Sequence, residues 1–188
     1  MKNLKTIAFA FITMISLTFF AQTKTVDAGK SSINWIGKKV TGSHEGTIGI
    51  KSGNLVFAKD KLKGGTFVVD MPTIIVTDLA AGKGKEDLEG HLKANDFFGT
   101  AKFPTATLVF KKIAAKKAGV YTVTGDLTIK GITKPIVFDL ATTATTAATT
   151  LKIDRTKYDI KYNSGNFFQN LGDKVINDEF ELKVALLF

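Results

Sequence analysis

The sequence has no cysteine, three prolines, two histidines and one tryptophan, and Arg155 is its single arginine. Lack of cysteine removes disulfides, thiol catalysis, thiolate metal sites and anchoring through a lipidated cysteine together. His44 and His91 have no second ligand at metal-binding spacing, so zinc would require His44 with Glu45, and His91 with Glu89, to meet in space. No Gly-x-Ser-x-Gly elbow, phosphate loop or dinucleotide fingerprint occurs: Gly82-Lys83-Gly84 lacks a third glycine, and Gly49 and Gly53 are wrongly spaced. The acids Asp87 with Glu89, and Asp173 with Asp178, Glu179 and Glu181, fall in stretches that read as solvated turns and outward strand positions. They do not read as paired general acids and bases. No catalytic residue, metal ligand or cofactor is expected, and the enzyme alternative reduces to a small metal-dependent hydrolase built on the two histidines.

Long apolar runs are confined to the start, where Lys2 and Lys5 precede a stretch from Ile7 to Phe20 broken only by Thr and Ser. That run is shorter than the ~20 residues a spanning helix needs, and polar Gln22-Thr23-Lys24 follows at once. Residues 1–21 therefore read as a secretory signal cut after Ala21, with a membrane anchor as the alternative. Residues 22–188 are expected to form one exported domain, large enough to fold on its own core. Loss of the two signal lysines lowers the formal charge from +9 to +7. The basic residues are scattered pairs (Lys38-Lys39, Lys111-Lys112, Lys116-Lys117), which argues against nucleic acid. Solvation, with transient attraction to an anionic membrane surface, is the better reading.

Beyond the signal, apolar residues recur with period two, the mark of half-buried strands. Ile33 and Trp35, then Ile48 and Ile50, alternate with polar neighbours. Phe67, Val69 and Met71 do the same, as do Ala106, Leu108 and Phe110 after Pro104. Val123, Gly125, Leu127 and Ile129 form the cleanest set, followed by Ile136, Phe138 and Leu140 and by Phe180, Leu182, Val184 and Leu186. Seven or eight such strands need a sandwich or a closed barrel to hide their apolar faces, and closure also removes exposed edges. Helix is expected only within Lys83–Asn95, with a short turn near Asn166–Leu171. The Ala/Thr tract from Ala141 to Thr150 is expected to be extended around a turn that no glycine marks. Eleven of the fifteen phenylalanines lie beyond the signal, with Trp35 and three tyrosines. An eight-stranded barrel is wide enough either to fill with such side chains or to enclose one ligand, and periodicity does not choose.

Four ordered blocks resemble the YceI-like family of lipocalin-like periplasmic proteins. They are Trp35 to Gly46; His91-Leu92-Lys93-Ala94-Asn95-Asp96-Phe97-Phe98 with Phe103-Pro104-Thr105-Ala106; Gly125 to Pro135 (GDLTIKGITKP); and Asp154-Arg155-Thr156-Lys157-Tyr158 with Leu171-Gly172-Asp173. The resemblance implies an all-β fold: an elongated antiparallel lipocalin-like β-barrel of about eight strands with one or two short helical insertions. It also implies a tunnel-like pocket for polyisoprenoid chains, isoprenoid quinones or similar amphiphiles, no enzymatic activity, and a periplasmic address, with extracellular as the alternative. The ligand-lining residues expected on that basis are Trp35, Ile48, Ile50, Phe67, Val69, Phe97, Phe98, Phe103, Leu108, Phe110, Leu127, Ile129, Phe138, Phe180 and Leu182. The expected partner is a long-chain lipid; the oligomeric state is left open, a homodimer included. A filled-core envelope module is the remaining alternative.

Overall fold

The computed structural model describes residues 21–188, so the signal expected on residues 1–21 lies, apart from Ala21, outside the described residues. Among the described residues nine antiparallel strands build one sheet: β1 (Gln22–Thr25), β2 (Ser32–Lys39), β3 (Gly42–Ala58), β4 (Lys61–Val76), β5 (Thr105–Lys117), β6 (Val120–Ile129), β7 (Ile132–Thr142), β8 (Thr146–Asp154) and β9 (Glu179–Leu187). The order is β1-β3-β2-β9-β8-β7-β6-β5-β4, and β3 also pairs with β4, so β2 to β9 close a barrel. β1 pairs with Asn54–Phe57 of β3, beyond the stretch of β3 that β2 occupies. Strand alternation works as the period predicts: in β6 every second residue from Tyr121 to Ile129 is buried.

The seams of the barrel are unequal. β6 and β7 pair over ten residues each, whereas β7 and β8 pair only at Ala141↔Ala148 and Thr142↔Ala147. Pro135 stands inside β7, in the stretch where that strand has a partner on one side only, which is where a residue without an N–H is tolerated. The β7–β8 turn lacks glycine because Thr143 makes it: its Oγ1 accepts from the backbone N–H groups of Thr145 and Thr146, an arrangement that substitutes a side chain for a special backbone angle. The Ala/Thr tract is thus two strand ends around a turn.

The helical insertion is α1 (Lys85–Lys93), shorter than the stretch expected. Its apolar stripe is narrow, with Leu92 buried and Leu88 packed against the core, and Glu89 Oε1 pins it by accepting from Val76 N at 2.8 Å. The second expected helical turn is displaced. The stretch near Asn166–Leu171 forms irregular turns, and 3-10 turns flank it at Arg155–Tyr158 and Gly172–Lys174. The side chain of Asp154 caps the first of these by accepting from Thr156 N, a local bond that competes with continued strand. The two long connections, 77–104 and 155–178, close the same end of the barrel as the β2–β3 hairpin.

Two buried clusters fill the interior. One, at the end carrying the long connections, is built on Trp35, Ile48, Met71, Phe97, Phe98, Leu127 and Ile129; the other is built on Leu55, Phe57, Phe67, Val123, Phe138 and Leu140. Ile50, Leu108, Ile136, Leu151 and Val184 touch both.

Candidate functional site: an apolar cavity at one end of the barrel

A cavity of about 130 Å³ lies within the first cluster. Trp35 from β2, Ile48 from β3, Val69 and Met71 from β4, Ala106 from β5, Leu127 and Ile129 from β6, Ile153 from β8, and Phe180 and Leu182 from β9 line it. Leu92, Phe97 and Phe98 from the first long connection and Ile176 and Asn177 from the second cover it. Its wall is apolar apart from Arg155 and Asn177.

Two backbone features shape this end. Gly46 lets Trp35 lie flat on β3, since a Cβ there would stand 2.6 Å from the indole ring and 1.9 Å from Ile75 O. The indole Nε1 then donates to that same carbonyl at 3.2 Å. In β4 the ladder jumps from Thr47↔Ile75 to Gly49↔Asp70, so Met71 to Ile74 stand opposite Ile48 alone. The hydroxyl of Thr73 ties this bulge together, donating to Asp70 O and accepting from Gly49 N, each at 2.7 Å. The extra residues send Met71 and Ile74 into the cavity wall.

Arg155 is the one buried cation in the wall, 2% exposed. Its Nε donates to Asn177 O, Nη1 to Ile160 O and Nη2 to Ile176 O, at 3.0, 2.8 and 2.9 Å. Asp178 Oδ1 stands 3.5 Å from Nη2. Burial pushes the guanidinium's pKa down, and the charges of Asp178 and Asp154 oppose it. The fork therefore stitches the second long connection shut over the cavity. Beside it Tyr158 is 1% exposed and its hydroxyl lacks a hydrogen-bond partner. Burial, reinforced by the charge of Asp154, pushes its pKa up to about 12.

Of the residues expected to line a pocket, Trp35, Ile48, Val69, Phe97, Phe98, Leu127, Ile129, Phe180 and Leu182 surround this cavity. Ile50 and Leu108 sit between the two clusters. Phe67, Phe110 and Phe138 fill the other half instead, with ring centroids 5.6 Å apart for the first pair and 5.9 Å for the second. Glycines make room for two of them: a Cβ on Gly53 or Gly65 would stand 2.7 Å from the ring of Phe67 or Phe110. Phe103 lies outside the cavity beside Gly99 and Gly131. Ile33, Gly37, Met71, Ile74, Leu92, Ala106, Ile153, Arg155, Ile176 and Asn177 complete the wall without having been singled out as lining residues. Strand alternation could have found Ile33, Gly37, Met71, Ala106 and, in β8, Ile153; the others depend on the bulge, the helix and the long connections.

The histidines are engaged separately. His44 Nδ1 is 2.8 Å from Asp78 Oδ2, while the His91 ring lies 4.4 Å from Tyr162 and 5.4 Å from Phe97, centroid to centroid. Among the described residues no group of three or more His, Cys, Asp or Glu side chains is placed to hold a metal ion.

The YceI-like domain family matches residues 25–188. The chain belongs to the YceI-like family. A UPF0312 protein of Shewanella denitrificans is 37% identical over 84 residues, covering 45% of this chain and 41% of its own. One of Staphylococcus aureus is 38% identical over 89 residues, covering 42% and 49%. The chain thus spans under half the length of these curated relatives. Among solved structures, BcnA of Burkholderia cenocepacia superposes with a TM-score of 0.69 at 23% identity over 87% of this chain and 99% of its own. A polyisoprenoid-binding domain of Saccharophagus degradans, implicated in plant cell wall breakdown, gives 0.57 at 18% identity over 87% and 95%. These likenesses establish the closed YceI-like barrel.

Proposed function

We propose that this YceI-like barrel binds the prenyl tail of a long isoprenoid lipid, a polyisoprenoid or an isoprenoid quinone, and carries it within the cell envelope without transforming it. The carrying observation is the almost wholly apolar cavity formed by inward-facing residues of β2 to β6, β8 and β9 under two long connections. The polyisoprenoid-binding domain of the same fold supports the choice of ligand class.

At about 130 Å³ the cavity is close to the ~150 Å³ space that holds benzene, enough for roughly one isoprene unit. A longer tail fits when Ile50, Leu108, Ile136 and Leu151 move aside along the barrel axis. The β7–β8 seam is where such widening costs least, because its backbone ladder has only two residue pairs, with Thr149 Oγ1 donating to Asp139 O beside them. Moving ~40 carbons from water at ~0.8 kcal/mol each would exceed the ~18 to 21 kcal/mol ceiling of non-covalent affinity. Such a lipid starts in a membrane, however, and passage between two apolar media changes little free energy. Loading is therefore reversible, as a carrier requires.

The basic start and short apolar run favour export to the periplasm, and intact mass of secreted protein beginning near Gln22 checks that step. The ligand is tested by solvent extraction and mass spectrometry of protein purified without detergent, with a prenyl-chain lipid as the expected result. An empty extract together with no uptake of an added prenyl quinone would leave a filled-core barrel instead.

A further inference from the structure

The large apolar side chains that this barrel leaves exposed are concentrated at the cavity end. Tyr162, Phe167, Phe168 and Val40 lie there with Ile75, while Val137 is on the outer face of β7, and Phe167 and Phe168 are each 50% exposed. Four of them form one patch. Val40 N donates to Val175 O, Ile176 N donates to Asn163 O, and the N–H groups of Phe167 and Phe168 both reach Ser164 O. The tip is held outward: Asn166 Nδ2 donates to Asp178 Oδ2 at 2.6 Å, and Asp178 in turn faces Arg155.

Lysines rim this patch. Lys38 and Lys39 adjoin Val40, Lys161 Nζ sits 5.2 Å from the Phe167 ring centroid and 2.9 Å from Asp159 Oδ1, and Lys174 stands between Asp173 and Val175. Aromatic rings with lysines around them suit the headgroup region of a bilayer, where rings enter the apolar boundary and ammonium groups meet lipid phosphates. A two-fold contact between copies would set these same lysines against one another. The patch is also one layer from the cavity, because the Tyr162 ring packs at a tilt against His91 and His91 against the cavity-lining Phe97, and the cavity-lining Ile176 donates its N–H to Asn163 O, next to Tyr162.

We propose that the Tyr162, Phe167, Phe168 and Val40 patch docks on an anionic bilayer and that lipid passes between bilayer and cavity at this end. The passage rests on the lipid-binding reading above; the docking rests on the patch alone.

The test uses the exported protein as secreted, in flotation with phosphatidylcholine vesicles with and without phosphatidylglycerol. Three proteins are compared: wild type, Phe167→Ser with Phe168→Ser, and Lys161→Glu with Lys174→Glu. Wild type is expected to float with the anionic vesicles, and the phenylalanine pair to weaken that binding about tenfold or more, since two half-exposed rings lose their apolar contact. The lysine pair should bind the anionic vesicles more weakly as well, and it carries the test should the phenylalanine pair fail to fold. All three should take up a fluorescent prenyl quinone from ethanol solution equally. Docking is overturned if wild type ignores anionic vesicles, or if folded variants float as wild type does. It is overturned too if wild type is a dimer that the phenylalanine pair makes monomeric while neither binds vesicles. Vesicle binding as expected with no quinone uptake by any form would keep the docking surface and remove the lipid cavity.

Discussion

Leu127 and Thr128 are consecutive in β6, yet Leu127 lines the cavity while Thr128 shares a hydroxyl contact of 2.8 Å with Thr133 on the outer face. A polar substitution should therefore act differently one residue apart. Leu127→Gln places an amide against an apolar chain without a partner and should weaken binding of a fluorescent prenyl analogue by roughly 1 to 3 kcal/mol. Thr128→Gln should stay within about 0.5 kcal/mol in both binding and stability. Equal binding by the two variants at unchanged stability would remove β6 from the ligand site.

Tyr158 carries a buried hydroxyl with no partner, so Tyr158→Phe should leave the melting temperature unchanged or raise it. Its pKa in the fold, about 12, lies above the ordinary 10.0, so the neutral form is the one the fold favours. Its contribution to stability is complete below pH 10 and is lost as pH rises towards about 12. Denaturant melts of the two proteins across that window should diverge, with the wild type losing stability more steeply. Parallel curves would count against this burial.

Arg155 reaches three backbone carbonyls with a planar fork that lysine cannot reproduce. Arg155→Lys should lower the melting temperature clearly, and Arg155→Ala should cost about 3 to 5 kcal/mol by leaving Asp178 beside no cation. Hydrogen exchange should rise first in residues 159–178. A variant as stable as wild type would mean that the fork is not what holds this connection.

Phe110 stands between Phe67 and Phe138 and blocks the barrel beyond the cavity. Phe110→Ala should lengthen the tunnel at a stability cost of up to about 3 kcal/mol. Its preference should move towards longer prenyl chains, which a competition series of quinones differing only in tail length would reveal. An unchanged chain-length order would place the tail elsewhere.

Strand periodicity made the barrel legible, because the faces of β6 alternate without interruption. It could not divide the interior. Phe67 and Phe97 are equally apolar in sequence, but only the register that sets Phe67 over Gly53 commits it to filling space. The Ala/Thr tract was readable as two extended pieces, whereas its turn depends on the hydroxyl of one threonine among several. Arg155 gave no local signal of burial, since its partners Ile160, Ile176, Asn177 and Asp178 come from a connection that folds back over the cavity. The Phe167 and Phe168 pair has no alternation at all, and nothing local to it indicates that the loop presents both rings to solvent.

Trp35 is the single tryptophan of the chain and its ring forms part of the cavity wall, so its emission reports on that space directly. Titration of the purified protein with prenyl quinones should quench this fluorescence saturably at one quinone per barrel, and Leu127→Gln should shift the midpoint to higher concentration. Loss of quenching when the prenyl tail is removed from the quinone would assign the recognition to the tail. Unchanged Trp35 emission at all tail lengths, in protein shown by extraction to be empty, would contradict lipid binding in this cavity.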